Sequence, residues 1–76
     1  YKAQALYNRA LVWEAQGEPE REIADYTAAL ALPDVPVEQV AQTLINRGLS
    51  YEAQGDSDLA LADFVALIAL QDPPPG

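Results

Sequence analysis

Apolar side chains recur at helical spacing in the first 16 residues, and polar side chains fill the positions between them. This 3.6-residue spacing predicts a helix over residues 1–16. Gly17 is expected to end the helix, because glycine readily adopts the left-handed backbone that closes one. The apolar positions are Ala3, Leu6, Tyr7, Ala10, Leu11, Trp13 and Ala15.

Three more helices are predicted from the turn residues that follow. Glu18-Pro19-Glu20 suits a helix start, because proline fits the first turn and acids complement its positive end. Pro33-Asp34-Val35-Pro36 breaks that helix, and Gly55 ends the next. The predicted spans are about 18–32 for the second helix, 36–54 for the third and 56–71 for the fourth. With no strand signal, the fold class is all-α, as two helical hairpins.

The chain repeats itself with a period of 38 residues. Sliding residues 1–34 over 39–72 gives 16 identities in 34 positions. A fixed period between about 20 and 50 residues is typical of stacked repeat proteins. We therefore predict one domain over 1–76, with repeat one at about 1–34, repeat two at about 36–72 and a proline tail at 73–76.

The repeated residues resemble the tetratricopeptide repeat family over about Ala3 to Asp72. That family has a 34-residue helix–turn–helix with a large, a small and an aromatic residue in its first helix. A glycine turn follows, and then alanine, aromatic and alanine in the second helix. The resemblance implies a right-handed superhelical stack of two antiparallel hairpins. The matching residues are Leu6, Ala10, Trp13, Gly17, Tyr26 and Ala29 in one copy, and Leu44, Gly48, Tyr51, Gly55, Ala60 and Phe64 in the other.

Three features depart from the family pattern. Glu22 occupies a position that is usually small, and Leu67 occupies one that is usually alanine. The period exceeds 34 by four residues, which is about one helical turn. We place the added residues around Val35–Gln39, as an extra first turn of the third helix. A longer loop is the alternative.

Charge restricts the class of partner. The chain has 12 acidic and four basic residues and a net charge of −8. This argues against binding to nucleic acid or to an anionic membrane, and favours a neutral or basic protein partner. No apolar run reaches the roughly 18 residues of a membrane-spanning helix. No signal peptide is recognisable, so the cytoplasm is the expected compartment.

The residues needed for catalysis are scarce. The chain has no histidine, no cysteine and a single lysine, Lys2. Ser50 and Ser57 lack a neighbouring base that would activate them. We therefore predict a non-catalytic protein that carries no cofactor.

Two acidic runs favour helix starts over binding sites. Asp56-Ser57-Asp58 lacks the glycine and the closing glutamate of a calcium-binding EF-hand loop, so a cap on the fourth helix is favoured. No metal site is predicted. The Glu18, Glu20 and Glu22 run is expected to be a solvated first turn.

The family resemblance implies a protein-binding function. In that family the first helix of each repeat lines a concave groove that takes a peptide or helix of a partner. Asn8 and Asn46 occupy a position whose amide often bonds the peptide backbone; alternatively, they bridge neighbouring helices. Tyr7 and Ile45 stand where one version of the family has a carboxylate-clamping lysine, so acidic chaperone tails are not expected. The predicted groove residues are Gln4, Tyr7, Asn8, Leu11, Glu14, Gln42, Ile45, Asn46, Leu49 and Glu52.

Arginine and aspartate also recur in register. Arg9 and Arg47 lie in the first helix of each repeat, and Asp25 and Asp63 in the second. We predict that they pair across helices, either within a repeat or from Asp25 to Arg47. The alternative is that the two arginines bind an acidic ligand.

The fourth helix suggests a second function. It is more apolar than its counterpart, and a terminal repeat normally needs a polar outer face. We therefore expect either further repeats in a longer parent chain or self-association as a homo-oligomer. In this alternative the segment is a structural spacer acting through Leu59, Val65 and Ile68.

Overall fold

Four helices form the protein. A computed structural model describes residues 2–71, and it contains no strand in that range. The helices are α1 (Lys2–Ala15), α2 (Pro19–Ala31), α3 (Val37–Ala53) and α4 (Ser57–Gln71). The all-α prediction is confirmed, and the described helix ends lie within about one residue of the predicted ones. The predicted proline tail at 73–76 lies outside the described residues.

Glycine closes both hairpin turns in the same way. Gly17 has φ 72° and Gly55 has φ 85°, in the left-handed region. The Glu18 N–H donates to the Trp13 carbonyl oxygen at 2.9 Å, and the Gly17 N–H donates to that of Glu14 at 3.1 Å. This pair of bonds is the Schellman arrangement, which satisfies two free carbonyls at a helix end. The equivalent bonds at Gly55 measure 2.9 and 3.0 Å, so the predicted glycine stops are confirmed.

Most of the added residues lie in α3. That helix has 17 residues against 14 in α1, and Val40 aligns with Lys2 across the repeat. Residues 37–39 lie in the first turn of α3, where most of the added residues were predicted. Val35 and Pro36 lie in the linker, which accommodates the rest of the insertion.

The two hairpins pack through α3. Helix α1 packs against α2, and α3 packs against α4. Helix α3 also packs against α2 and touches α1, whereas within residues 2–71 α4 contacts only α3. The Cα atoms span 43 × 30 × 15 Å. Two helix layers about 10 Å apart, each with a Cα radius of about 2.3 Å, account for the shortest dimension.

A small residue and an aromatic residue are buried at equivalent positions in the first hairpin and lie against each other in the second. In the first, Ala10 and Tyr26 are both completely buried. In the second, a Cβ atom at Gly48 would lie 2.7 Å from Cε1 of Phe64. Real Cβ atoms essentially never lie that close, so a larger residue at position 48 would force the Phe64 ring to shift.

An arginine–aspartate pair crosses each hairpin. In the first, Arg9 Nε and Nη2 donate to the two Asp25 oxygens at 2.8 and 2.9 Å. In the second, Arg47 Nε and Nη2 donate to those of Asp63 at 2.8 and 2.6 Å. The predicted pairing is confirmed, and it occurs within each repeat. Two parallel bonds of this kind fix geometry as well as adding energy.

Asp25 has a third donor that the sequence analysis did not identify. Trp13 Nε1 donates to its Oδ2 at 2.9 Å. Bonding to Arg9 is the main cause of the lowered pKa of Asp25, and Trp13 contributes in the same direction. The carboxylate is therefore held in its charged form by two side chains of α1.

The second pair is more enclosed and also joins the repeats. The Arg47 side chain is 18% exposed, against 61% for Arg9. Its Nη1 donates to Thr27 Oγ1 on α2 at 3.1 Å. Arg47 therefore links α3 to both α4 and α2.

This difference predicts unequal costs for one substitution made in both repeats. Arg47→Gln should lower the free energy of unfolding by about 3 kcal/mol, because it leaves the buried Asp63 without its arginine. Arg9→Gln should cost about 1 kcal/mol, because Trp13 still bonds Asp25. Urea unfolding followed by circular dichroism at pH 7 measures both. Equal costs, or a larger cost for Arg9→Gln, would contradict the assignment.

Candidate protein-binding site

The predicted groove residues lie on the neighbouring helices α1 and α3. None of the ten is fully buried, and Leu49 is 52% exposed. This surface therefore offers both polar and apolar groups to a partner. The exposed members are Gln4, Asn8, Glu14, Gln42, Leu49 and Glu52; the half-buried ones are Tyr7, Leu11, Ile45 and Asn46.

The two asparagines differ in their contacts. Asn46 Nδ2 donates to Tyr7 Oη at 2.8 Å, from α3 to α1. Asn8 is exposed and accepts a bond from Gln4 on its own helix, at 3.0 Å. The helix-bridging alternative therefore describes Asn46, while Asn8 keeps its side chain at the surface.

A cleft lies between the two repeats at one end of this surface. Its volume is about 310 Å³. It opens between the tip of the first hairpin and the last turns of α3, and it includes the groove positions Glu14 and Leu49. The lining residues are Glu14, Gly17, Glu18, Pro19, Glu22, Leu49, Ser50, Ala53 and Gln54.

Glu22 corrects one sequence prediction. Glu18 and Glu20 are exposed as expected, but Glu22 is 3% exposed. The expectation of a solvated first turn is therefore wrong for Glu22. Ser50 Oγ on α3 donates to Glu22 Oε1 at 3.1 Å, so the stacking of α3 on α2 buries the carboxylate. Ser50 is the counterpart of the bulkier, exposed Val12 of the first repeat. The two copies therefore differ at both Ser50 and Glu22, and this paired difference was the signal in the sequence for the buried contact.

The buried carboxyl group is only partly satisfied. Glu22 Oε2 and Tyr26 Oη are both buried without a hydrogen-bond partner in the described residues. Burial raises the pKa of Glu22, and the negative charge of Glu14 raises it further, whereas bonding to Ser50 lowers it. Burial also raises the pKa of Tyr26. One oxygen of this carboxyl group, Oε2, thus lacks a hydrogen-bond donor.

At the tip of the second hairpin, a depression of about 290 Å³ is lined by α3 and α4 alone, through Glu52, Ser57, Ala60, Leu61 and Phe64. A second depression, of about 350 Å³, lies there and is lined only by the continuous stretch Gly55–Leu59. In the described residues no further helix packs on this side, as α3 does on the first hairpin. The cleft at the first hairpin is therefore shared between the two repeats, whereas these two depressions are lined by the second repeat alone.

The outer side of α4 carries exposed apolar residues. Leu61, Val65 and Ile68 are 62, 56 and 61% exposed, and they share one side of the helix at three- and four-residue spacing. Leu59 is 50% exposed, but it lies about 150° away around the helix. We call Leu61, Val65 and Ile68 the α4 face; Leu61 was not among the residues predicted for it.

The equivalent side of α2 is the one that α3 covers. Its residues Ile23 and Leu30 are half-buried. Thr27, which lies on the same side, accepts the bond from Arg47 of α3. The α4 face therefore has the geometry of a helix-packing surface without a helix on it in the described part of the chain.

The contact between Tyr7 and Asn46 predicts a measurable coupling. In a double-mutant cycle, Tyr7→Phe and Asn46→Ala should couple by about 1 kcal/mol in the free energy of unfolding. The same cycle with Asn8→Ala in place of Asn46→Ala is the control and should be additive. Additivity for both asparagines would show that Asn46 does not bridge the helices.

Comparison of the chain with protein-family models, with curated proteins and with solved structures finds no match. The resemblance to tetratricopeptide repeats therefore rests on the residues and the repeat period of this chain.

Proposed function

We propose that this chain is a non-catalytic protein-binding module that takes an extended peptide or a helix along the surface of α1 and α3. The observation that carries this proposal is that the mixed polar and apolar surface runs into a cleft between the repeats. The 38-residue period, the paired glycine turns and the small-against-aromatic packing support a tetratricopeptide-type arrangement of the hairpins.

The roles of the groove residues follow from their exposure. Leu11 and Leu49 supply apolar contact, and Asn8 bonds the backbone of the peptide through an amide that both donates and accepts. Asn46 has a supporting role, because its bond to Tyr7 holds α3 against α1. The net charge of −8 favours a neutral or basic partner.

A peptide-array screen with two matched variants tests this function. Leu49→Ser and Leu61→Ser each remove an exposed leucine, one from the groove and one from the α4 face. We expect a defined peptide class to bind the wild type, with about tenfold weaker binding to Leu49→Ser. Leu61→Ser should bind as the wild type does. Binding that ignores Leu49→Ser, or no peptide binding at all, would contradict the proposal.

The second candidate function is self-association through the α4 face. The observation that favours it is the exposure of Leu61, Val65 and Ile68 on the side equivalent to the covered side of α2. A second copy of this chain is the proposed occupant, with one of its helices packed as α3 packs on α2. Burying three large apolar side chains is favourable by about 1.5–3 kcal/mol each.

Sedimentation equilibrium tests the second candidate. The wild type should form dimers as its concentration rises, and Val65→Glu should remain monomeric, because it places a charge in the contact. Val12→Glu is the matched control, since Val12 is 51% exposed on α1, and it should still dimerise. A wild type that remains monomeric at millimolar concentration would contradict this function.

A further inference from the structure

We infer that the cleft between the repeats binds a basic side chain of the partner peptide, an arginine guanidinium or a lysine ammonium, with Glu22 as the buried carboxylate that receives it. The inference rests on the proposed function and narrows it. The partner class becomes a peptide that carries a basic residue where it reaches the end of the groove. The bond would run from an N–H of the ligand to Glu22 Oε2, which is buried in the free chain and must become accessible as the ligand enters.

The first support is the missing donor at Glu22. This residue is 3% exposed and lines the cleft, with Oε1 bonded to Ser50 and Oε2 buried without a partner. A buried carboxylate oxygen that lacks a donor is costly. A charged N–H donor would form a charge-assisted bond there, which is among the stronger hydrogen bonds in proteins.

The second support is the charge of the lining. Three glutamates and no basic residue line the cleft. Glu14 lies close enough that its charge raises the pKa of Glu22. Glu18 is 3.5 Å from Arg21 Nε, but both side chains are at least half exposed, so this ion pair is weak. A cation in the cleft would relieve repulsion that the chain itself leaves uncompensated.

The third support is the size and the walls of the cleft. Its 310 Å³ is near the lower end of the range for ligand pockets, about 300–1,000 Å³. Leu49, Ala53 and Pro19 give it apolar walls, which suit the aliphatic stem of lysine or arginine. Within residues 2–71, no three acidic side chains come together as a metal ion would require. The arrangement therefore suits an extended organic cation better than a metal ion.

The fourth support is that the repeat does not need this carboxylate. The counterpart of Glu22 is Ala60, which is also buried, at 3% exposure, without a polar group to satisfy. Strongly perturbed titratable groups in clefts are frequent at functional sites. Burying the Glu22 carboxylate thus destabilises the fold in a way that alanine at the same position avoids. Binding of a cation by this carboxylate accounts for its presence.

Tyr26 is the internal group that competes for the carboxylate. It lies one turn further along α2, and its hydroxyl interacts with Glu22 enough to lower the pKa of that residue. Even so, Tyr26 Oη and Glu22 Oε2 both remain without a hydrogen-bond partner. The internal donor therefore leaves the site open to a better one.

Nuclear magnetic resonance titration of the labelled chain with two capped alanine pentapeptides tests the inference. One probe has a central arginine and the other has citrulline, which keeps the shape without the charge. We expect the arginine peptide to bind about tenfold more tightly, because its bond to the carboxylate is charge-assisted. The amide shifts should centre on Ser50 and Gln54. Equal affinities for the two peptides would overturn the inference.

Two glutamate variants complete the test. Glu22→Gln should reduce the affinity for the arginine peptide to the citrulline level. Glu20→Gln makes the same charge change on an exposed residue outside the cleft, and it should bind as the wild type does. Glu22→Gln keeps an acceptor for Ser50 and removes a desolvated charge, so it should fold at least as well. If it does not fold, the two peptides with the wild type still decide the question.

The outcomes separate this inference from the proposed function. An array peptide could lose affinity for Leu49→Ser and bind Glu22→Gln as tightly as the wild type. That outcome would overturn the inference and still support the proposed peptide-binding groove. The wild type could instead prefer the arginine pentapeptide to the citrulline one and bind none of the longer array peptides. That outcome would support the inferred cation site in the cleft and contradict the proposed peptide-binding groove.

Discussion

Bidentate arginine–aspartate bonds define each hairpin, because the apolar core alone is too small to do so. The fully buried apolar residues are Tyr26, Leu44 and four alanines, and chains of this size bury little core of their own. Asp25 and Asp63 lie in that interior, each held by an arginine from the facing helix. A helix register that left either carboxylate buried without its arginine would be strongly destabilised, so the ion pairs favour the observed register.

The repeats are similar in sequence but differ where they meet. Arg47 reaches Thr27 across the interface, and Asn46 reaches Tyr7. Thr27 and Tyr7 are replaced by Val65 and Ile45 in the second copy, so neither bond could recur there. The interface therefore combines donors that both copies share with acceptors that occur only in the first copy.

The sequence predicted what is local and missed what depends on stacking. Helix spans follow from periodicity, the turns at Gly17 and Gly55 from glycine chemistry, and the Arg9–Asp25 pairing from residues that recur in register. The burial of Glu22 could not be read in this way, and the sequence left open whether Asn8 or Asn46 bridges the helices. Both depend on which side of the first hairpin α3 covers, and that is set by contacts between distant parts of the chain.

Glu22 and Asp25 contribute to stability with opposite dependence on pH. The pKa of Asp25 is lowered on folding, so its contribution is present at neutral pH and is lost as the pH falls below the ordinary value near 3.8. The pKa of Glu22 is raised, so its contribution is complete below the ordinary value near 4.5 and is lost as the pH rises. The most direct test is a carbon-13 titration of the Glu22 carboxyl group, without and with an arginine peptide. The account predicts a midpoint above the ordinary value that falls when the peptide binds. A midpoint at or below that value in the free chain would contradict a buried Glu22 carboxyl group whose Oε2 accepts no hydrogen bond.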